Sequence, residues 1–124
     1  MTTSDLRLKQ QVIPLSKVVN DSSLLESLRP VAYTTLGSEQ RRFGFIAQEL
    51  QRDLPQIVRD LDTTKAVVYQ DLLAVLTLLL KEHEDRIETV RARLDKFKAA
   101  YHSEFNRIKL EIAHVSAVVS RLSE

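Results

Sequence analysis

The chain is 124 residues long, 44% hydrophobic and 28% charged, with 18 basic against 17 acidic side chains and no cysteine. That is room for about one domain, without the basic excess that would hold nucleic acid or an anionic membrane and without thiols for disulfides or thiolate metal sites. Met1-Thr2-Thr3-Ser4-Asp5 is neither basic nor apolar enough for a secretory signal, and the apolar run Leu72 to Leu80 is about half of what spans a bilayer, so a soluble protein is expected.

Both glycines (Gly37, Gly44) and all three prolines (Pro14, Pro30, Pro55) fall in the first 55 residues. The pattern predicts an α+β head over residues 1–69 and a long helical stalk over 70–124. Val12-Ile13 before Pro14 suits an extended segment that Ser16 to Val19 continues. Asn20-Asp21-Ser22 offers N-caps for a short helix carrying Leu24, Leu25 and Leu28, which Pro30 stops. Val31 to Leu36 reads as a strand, Gly37 to Arg42 as a polar turn and Phe43 to Phe45 as the partner strand. Ala47 to Asp53 reads as a helix stopped by Pro55. Gln56 to Arg59 and Ala66 to Tyr69 are short strand candidates.

From about Asp71 to Leu122 nothing breaks a helix, which at 1.5 Å per residue is about 80 Å long. Ile87, Val90, Leu94, Phe97 and Tyr101 alternate at spacings of three and four, a heptad seam. Phe97 to Tyr101 to Phe105 then takes two steps of four before the alternation resumes through Ile108, Ile112, Val115, Val119 and Leu122. The extra step is a stutter that locally unwinds a left-handed supercoil. A strict heptad would bury Glu104 and Glu111, whereas the stutter turns Phe105 and Ile112 inward instead. Such a stripe calls for partner helices, and three successive aromatic layers favour a homotrimer over a dimer. Leu72 to Leu80 is apolar nearly all round, as in a helix buried on every side. It suits a hub where heads meet, an ordinary core helix of one head, or both.

Ser4-Asp5-Leu6-Arg7-Leu8-Lys9 resembles the opening Ser-Asp-x-Arg-x-Lys motif of the self-cleaving intramolecular chaperone domains that close many phage tail spikes, endosialidases and tail fibres. A related domain occurs in membrane-tethered eukaryotic transcription factors. Leu28-Arg29-Pro30-Val31-Ala32-Tyr33 is similar to the family's strand entry. Gly44-Phe45-Ile46-Ala47-Gln48-Glu49-Leu50 is similar to its Gly-Phe-Ile-Ala-Gln-Glu-Val block. Leu54-Pro55 with Val58, and then Val68-Tyr69 with Leu72, follow at the family's distances. The resemblance implies a homotrimer that chaperones an upstream β-structured fibre or spike in the host cytoplasm during virion assembly. It also implies self-release by cleavage just before Ser4, with Ser4 and Lys9 as the catalytic pair. Only Met1-Thr2-Thr3 precede Ser4, which fits a piece excised at the cleavage boundary or a separately encoded chaperone acting in trans.

The chemistry sets its own conditions. A serine hydroxyl needs a base to take its proton, and a lysine is a base only as the neutral amine, far from its ordinary pKa of about 10.4 unless burial or a nearby cation intervenes. Arg7 is a candidate for that cation or for the oxyanion donor. Five residues of strand separate the two groups by about 17 Å on opposite faces, and in a helix they lie about 140° apart. A turn between them, or a lysine from a neighbouring chain, is required. The bland alternative is a short helix from Leu6 capped by Ser4-Asp5, with Lys9 solvated. No cofactor or metal is expected, because His83, His102 and His114 are too far apart along one helix to form a cluster. Neither glycine sits in a phosphate-cradling loop, and Gly44 is expected at a tight turn or a close backbone approach. The rival readings are a non-cleaving trimerisation foot that stays on the fibre, and the transcription-factor setting.

Overall fold

The computed structural model describes residues 3–20 and 22–123. The candidate cap Asp21 lies outside the described residues. The architecture is α+β: small antiparallel hairpins and short helices followed by one long C-terminal helix. The chain divides into two compact units, Met1–Lys81 and Glu82–Glu124.

The first unit begins with two 3-10 helices, Leu6–Leu8 and Leu15–Lys17. The second corrects the expectation of an extended Ser16 to Val19. Pro14 fixes the entry, and i→i+3 bonds from Lys17 to Pro14 and from Val18 to Leu15 close the turn instead. Helix α1, Leu24–Ser27, has Ser23 at its N-cap position and ends before Pro30, as the restricted residue ahead of a proline requires.

Strands β1 (Val31–Thr34) and β2 (Arg41–Gly44) pair antiparallel with Val31 opposite Gly44 and Tyr33 opposite Arg42. Both are shorter or earlier than the sequence suggests, because Thr35-Leu36-Gly37-Ser38 forms a β-turn closed from Ser38 N to Thr35 O at 3.0 Å. Gly37 takes φ +82 at its third position, which a type II turn reserves for glycine. Helix α2 spans Ala47–Asp53, as expected, and a 3-10 helix at Pro55–Ile57 leads into β3, Val58–Leu61. β3 pairs with β4, Thr64–Val67, through a two-residue turn in which Asp62 is left-handed at φ 46. The expected strands at Gln56 to Arg59 and Ala66 to Tyr69 are therefore displaced by two residues in opposite directions. The proline at position 55 winds Gln56 and Ile57 into a 3-10 turn, and Tyr69 already belongs to a helix.

Helix α3 runs Tyr69–Leu122 without interruption, starting from the bond of Leu72 N to Val68 O at 3.1 Å. Its first turns carry Leu72, Val75 and Leu79 into one core with Leu24 of α1, Leu50 of α2, and Leu54, Ile57 and Val58. The apolar run is thus split. Leu72, Val75 and Leu79 are buried within the single chain, while Leu73 and Leu80 on the other side remain 65% and 70% exposed.

In the second unit every described residue from His83 onward is exposed. Ile87, Val90, Leu94, Phe97, Tyr101 and Phe105 all stand open to solvent. Tyr101 and Phe105 stack with ring centroids 6.3 Å apart. Arg107 bonds Glu104 on one side and Glu111, at 2.6 Å, on the other. The two glutamates that a strict heptad would bury are therefore tied together in one ion-paired strip.

Candidate functional site: the Ser4–Lys9 turn

Lys9 Nζ donates to Ser4 Oγ at 2.7 Å within the same chain. Neither strand nor helix brings positions five apart together, and the 3-10 turn between them does. Its backbone is closed by Leu8 N to Asp5 O at 3.1 Å and Lys9 N to Leu6 O at 3.0 Å. Asp5, extended at φ −70 and ψ 131, caps the turn by accepting from Arg7 N at 2.9 Å. The capping alternative is thus met in part, since Asp5 does cap a turn starting at Leu6, but Lys9 bonds Ser4.

Arg7 does not serve as the cation beside Lys9. Its guanidinium forks onto Asp5, with Nε at 3.0 and 3.1 Å from the two carboxylate oxygens and Nη2 at 2.6 Å from Oδ2. Those bonds hold the Asp5 carboxyl below the usual carboxylate range and raise the guanidinium. Ser4 and Lys9 both stand exposed, so in the single chain the pair is assembled but open to water. Among the described residues no group of three His, Asp or Glu side chains is placed to hold a metal.

Two further contacts tie together the blocks behind the turn. Arg29 in the Leu-Arg-Pro block forks onto Glu49 in the Gly-Phe-Ile-Ala-Gln-Glu block, at 2.8 and 2.9 Å. The Arg29 hydrogen bond holds the Glu49 carboxyl below its ordinary range. A signal was available, an arginine and a glutamate each embedded in a motif block, but nothing in one sequence pairs them across 20 positions. The second contact is at Gly44, where of the two expectations, a tight turn or a close backbone approach, the second holds. A Cβ there would lie 2.7 Å from the Tyr69 hydroxyl and 3.3 Å from the Tyr33 ring. The same hydroxyl accepts from Phe45 N at 3.4 Å, so the first residue of α3 is hooked to the residue that follows β2.

Gly44→Ala is therefore expected to destabilise the head by about 1–3 kcal/mol, read as a lower midpoint in chemical denaturation. Adding Tyr69→Phe, which removes the clashing oxygen, should recover a large part of that loss. A double variant no more stable than Gly44→Ala alone would show that the clash lies elsewhere.

The described residues thus place a serine–lysine pair on a capped turn at the opening of an α+β fold whose last element is a long helix with an exposed apolar stripe. The profile of the family described as chaperone of endosialidase matches residues 4–59, so this segment of the chain is similar to that family. The match begins at Ser4 and runs through α1, both strands of the first hairpin, α2 and the start of β3. No curated protein matches the chain.

Proposed function

We propose that the chain is a trimeric chaperone for a phage tail fibre or tail spike that releases itself by cutting the Thr3–Ser4 bond. The observation that carries this reading is the 2.7 Å bond between Lys9 Nζ and Ser4 Oγ, found inside the segment that matches the endosialidase chaperones.

In the cut, neutral Lys9 Nζ takes the Ser4 hydroxyl proton as Oγ bonds to the Thr3 carbonyl carbon. The carbon–nitrogen bond then breaks, and the lysine returns the proton to the departing Ser4 nitrogen. Water hydrolyses the resulting ester, leaving a Thr3 carboxylate, a free Ser4 hydroxyl and a Ser4 amino terminus. With a protonated lysine the hydrogen bond runs from Nζ to Oγ. Loss of one Nζ proton reverses it with no movement of heavy atoms, which is the geometry a general base needs.

A base of this kind works in a dry site, and both side chains are exposed in the single chain. The cover has to come from neighbouring chains or from the folded fibre, which couples the cut to completed assembly. The division into a head over 1–69 and a stalk over 70–124 fits this sequence of events: the stalk gathers three copies, the heads template the fibre, and the turn then fires. The setting is the host cytoplasm during virion assembly.

The test is expression of a fibre segment with and without the module. With it, in fusion or supplied in trans, the fibre should emerge soluble and trimeric. Without it, the fibre should aggregate, because unpaired strand edges stay exposed until assembly. Equal yields of soluble trimeric fibre in both cases would overturn the proposal.

A further inference from the structure

We propose that Asp5 is the positioning residue of the Ser4–Lys9 pair, holding the turn that brings the lysine onto the serine; this rests on the reading that Ser4 and Lys9 make the cut. The case begins with what else could hold the turn. Leu6 and Leu8, its two apolar side chains, are 72% and 74% exposed, and no residue from Leu6 to Leu8 is buried. Among the described residues nothing buries these two side chains, so the conformation of the turn depends on local hydrogen bonds.

Asp5 supplies most of them. Its carboxylate accepts from the Arg7 backbone nitrogen at 2.9 Å, and its carbonyl accepts from Leu8 N at 3.1 Å. Its second carboxylate oxygen accepts from Arg7 Nη2 at 2.6 Å. An Asp side chain bonded two residues on competes with extended backbone and selects the turn. Extended backbone would carry Lys9 about 17 Å from Ser4. Arg7 acts through Asp5, by clamping the carboxylate in the orientation that caps the turn.

The sign of the pH dependence follows. The Asp5 carboxyl is held below its ordinary value by Arg7, so the clamp is complete above the ordinary carboxylate pKa, about 3.9. It is lost only as pH falls through the lower, folded value. At neutral pH Asp5 therefore fixes geometry and does not itself titrate.

Two measurements test this. In the fibre–chaperone fusion, Asp5→Ala should slow cleavage about tenfold, the scale of a lost cap, while the pH of half-maximal rate stays where it is in the wild type. Asp5→Asn should be rescued to within about threefold, because its carboxamide oxygen still accepts from Arg7 N. In the 124-residue chain itself, a nuclear Overhauser contact between the Lys9 ε and Ser4 β protons should be present in the wild type and Asp5→Asn and lost in Asp5→Ala.

Wild-type cleavage with a retained contact in Asp5→Ala would overturn the assignment. So would a displaced pH midpoint, which would mean that Asp5 acts on the lysine's charge. A wild-type fusion that stays whole, although the contact is present and Asp5→Ala abolishes it, would overturn the cut and leave the positioning role standing.

Discussion

Ser4→Ala, placed behind its fibre segment, is expected to remain whole where the wild type breaks between Thr3 and Ser4. The substitution removes the only atom proposed to attack the Thr3 carbonyl. Lys9→Ala should lose about 10²–10⁴-fold in rate, the range for removing a general base. Lys9→Arg is the sharper variant, because arginine keeps the charge and the reach to Ser4 Oγ but cannot act as a neutral base. It should fail to cut despite preserving the hydrogen bond. Both positions are exposed, and surface changes of this kind cost within about 0.5 kcal/mol. Helical content and thermal midpoint should therefore be unchanged in all three, which separates lost chemistry from lost folding. Intact mass reports the outcome. Full cleavage in Ser4→Ala would dispose of the nucleophile, and normal cleavage in Lys9→Ala alone would leave the serine in need of another base.

How far this site could be read from the residues depends on what each signal encodes. Helix α2 is legible to the residue because Pro55 punctuates it. The long helix is legible because no glycine or proline interrupts it, although it starts two residues before the expected Asp71. Val67-Val68-Tyr69 has the composition of a strand, while tertiary structure divides it: Val67 ends β4 and Tyr69 opens α3. Residues 16 to 19 differ from the extended expectation for a similar reason, since branched apolar residues after a proline suit both an extended chain and a 3-10 turn.

The closure of Ser4 onto Lys9 lay between these cases. Spacing showed that a regular element could not achieve it and left a turn or a second chain open; the structure supplies the turn. Asp5 followed two residues later by Arg7 was the available clue, because an aspartate commonly caps the backbone nitrogen two positions on. Arg7 was harder to place. Its charge suggested a role toward Lys9 or the oxyanion, and only coordinates show it committed to Asp5.

The second large effect is expected in the stalk. We expect the wild-type chain of 14.2 kDa to scatter light as three copies at micromolar concentration. The physical case is the apolar stripe from Ile87 to Leu122, whose side chains all stand exposed. Each such side chain gains roughly 1.5–3 kcal/mol when fully buried, and helices of this kind depend on packing more than on propensity. Phe105→Glu would place three like charges in one layer of the seam, so it should shift the chain to monomer and lower its helicity together. Glu104→Ala is the matched control. Glu104 is paired with Arg107, on the strip that the stutter turns outward, and its loss should leave the assembly intact. If Glu104→Ala disrupted the trimer as strongly as Phe105→Glu, the heptad would be unbroken and the stutter wrong. A wild type that is monomeric at micromolar concentration would remove the partner helices altogether, and with them the cover that the Ser4–Lys9 turn needs.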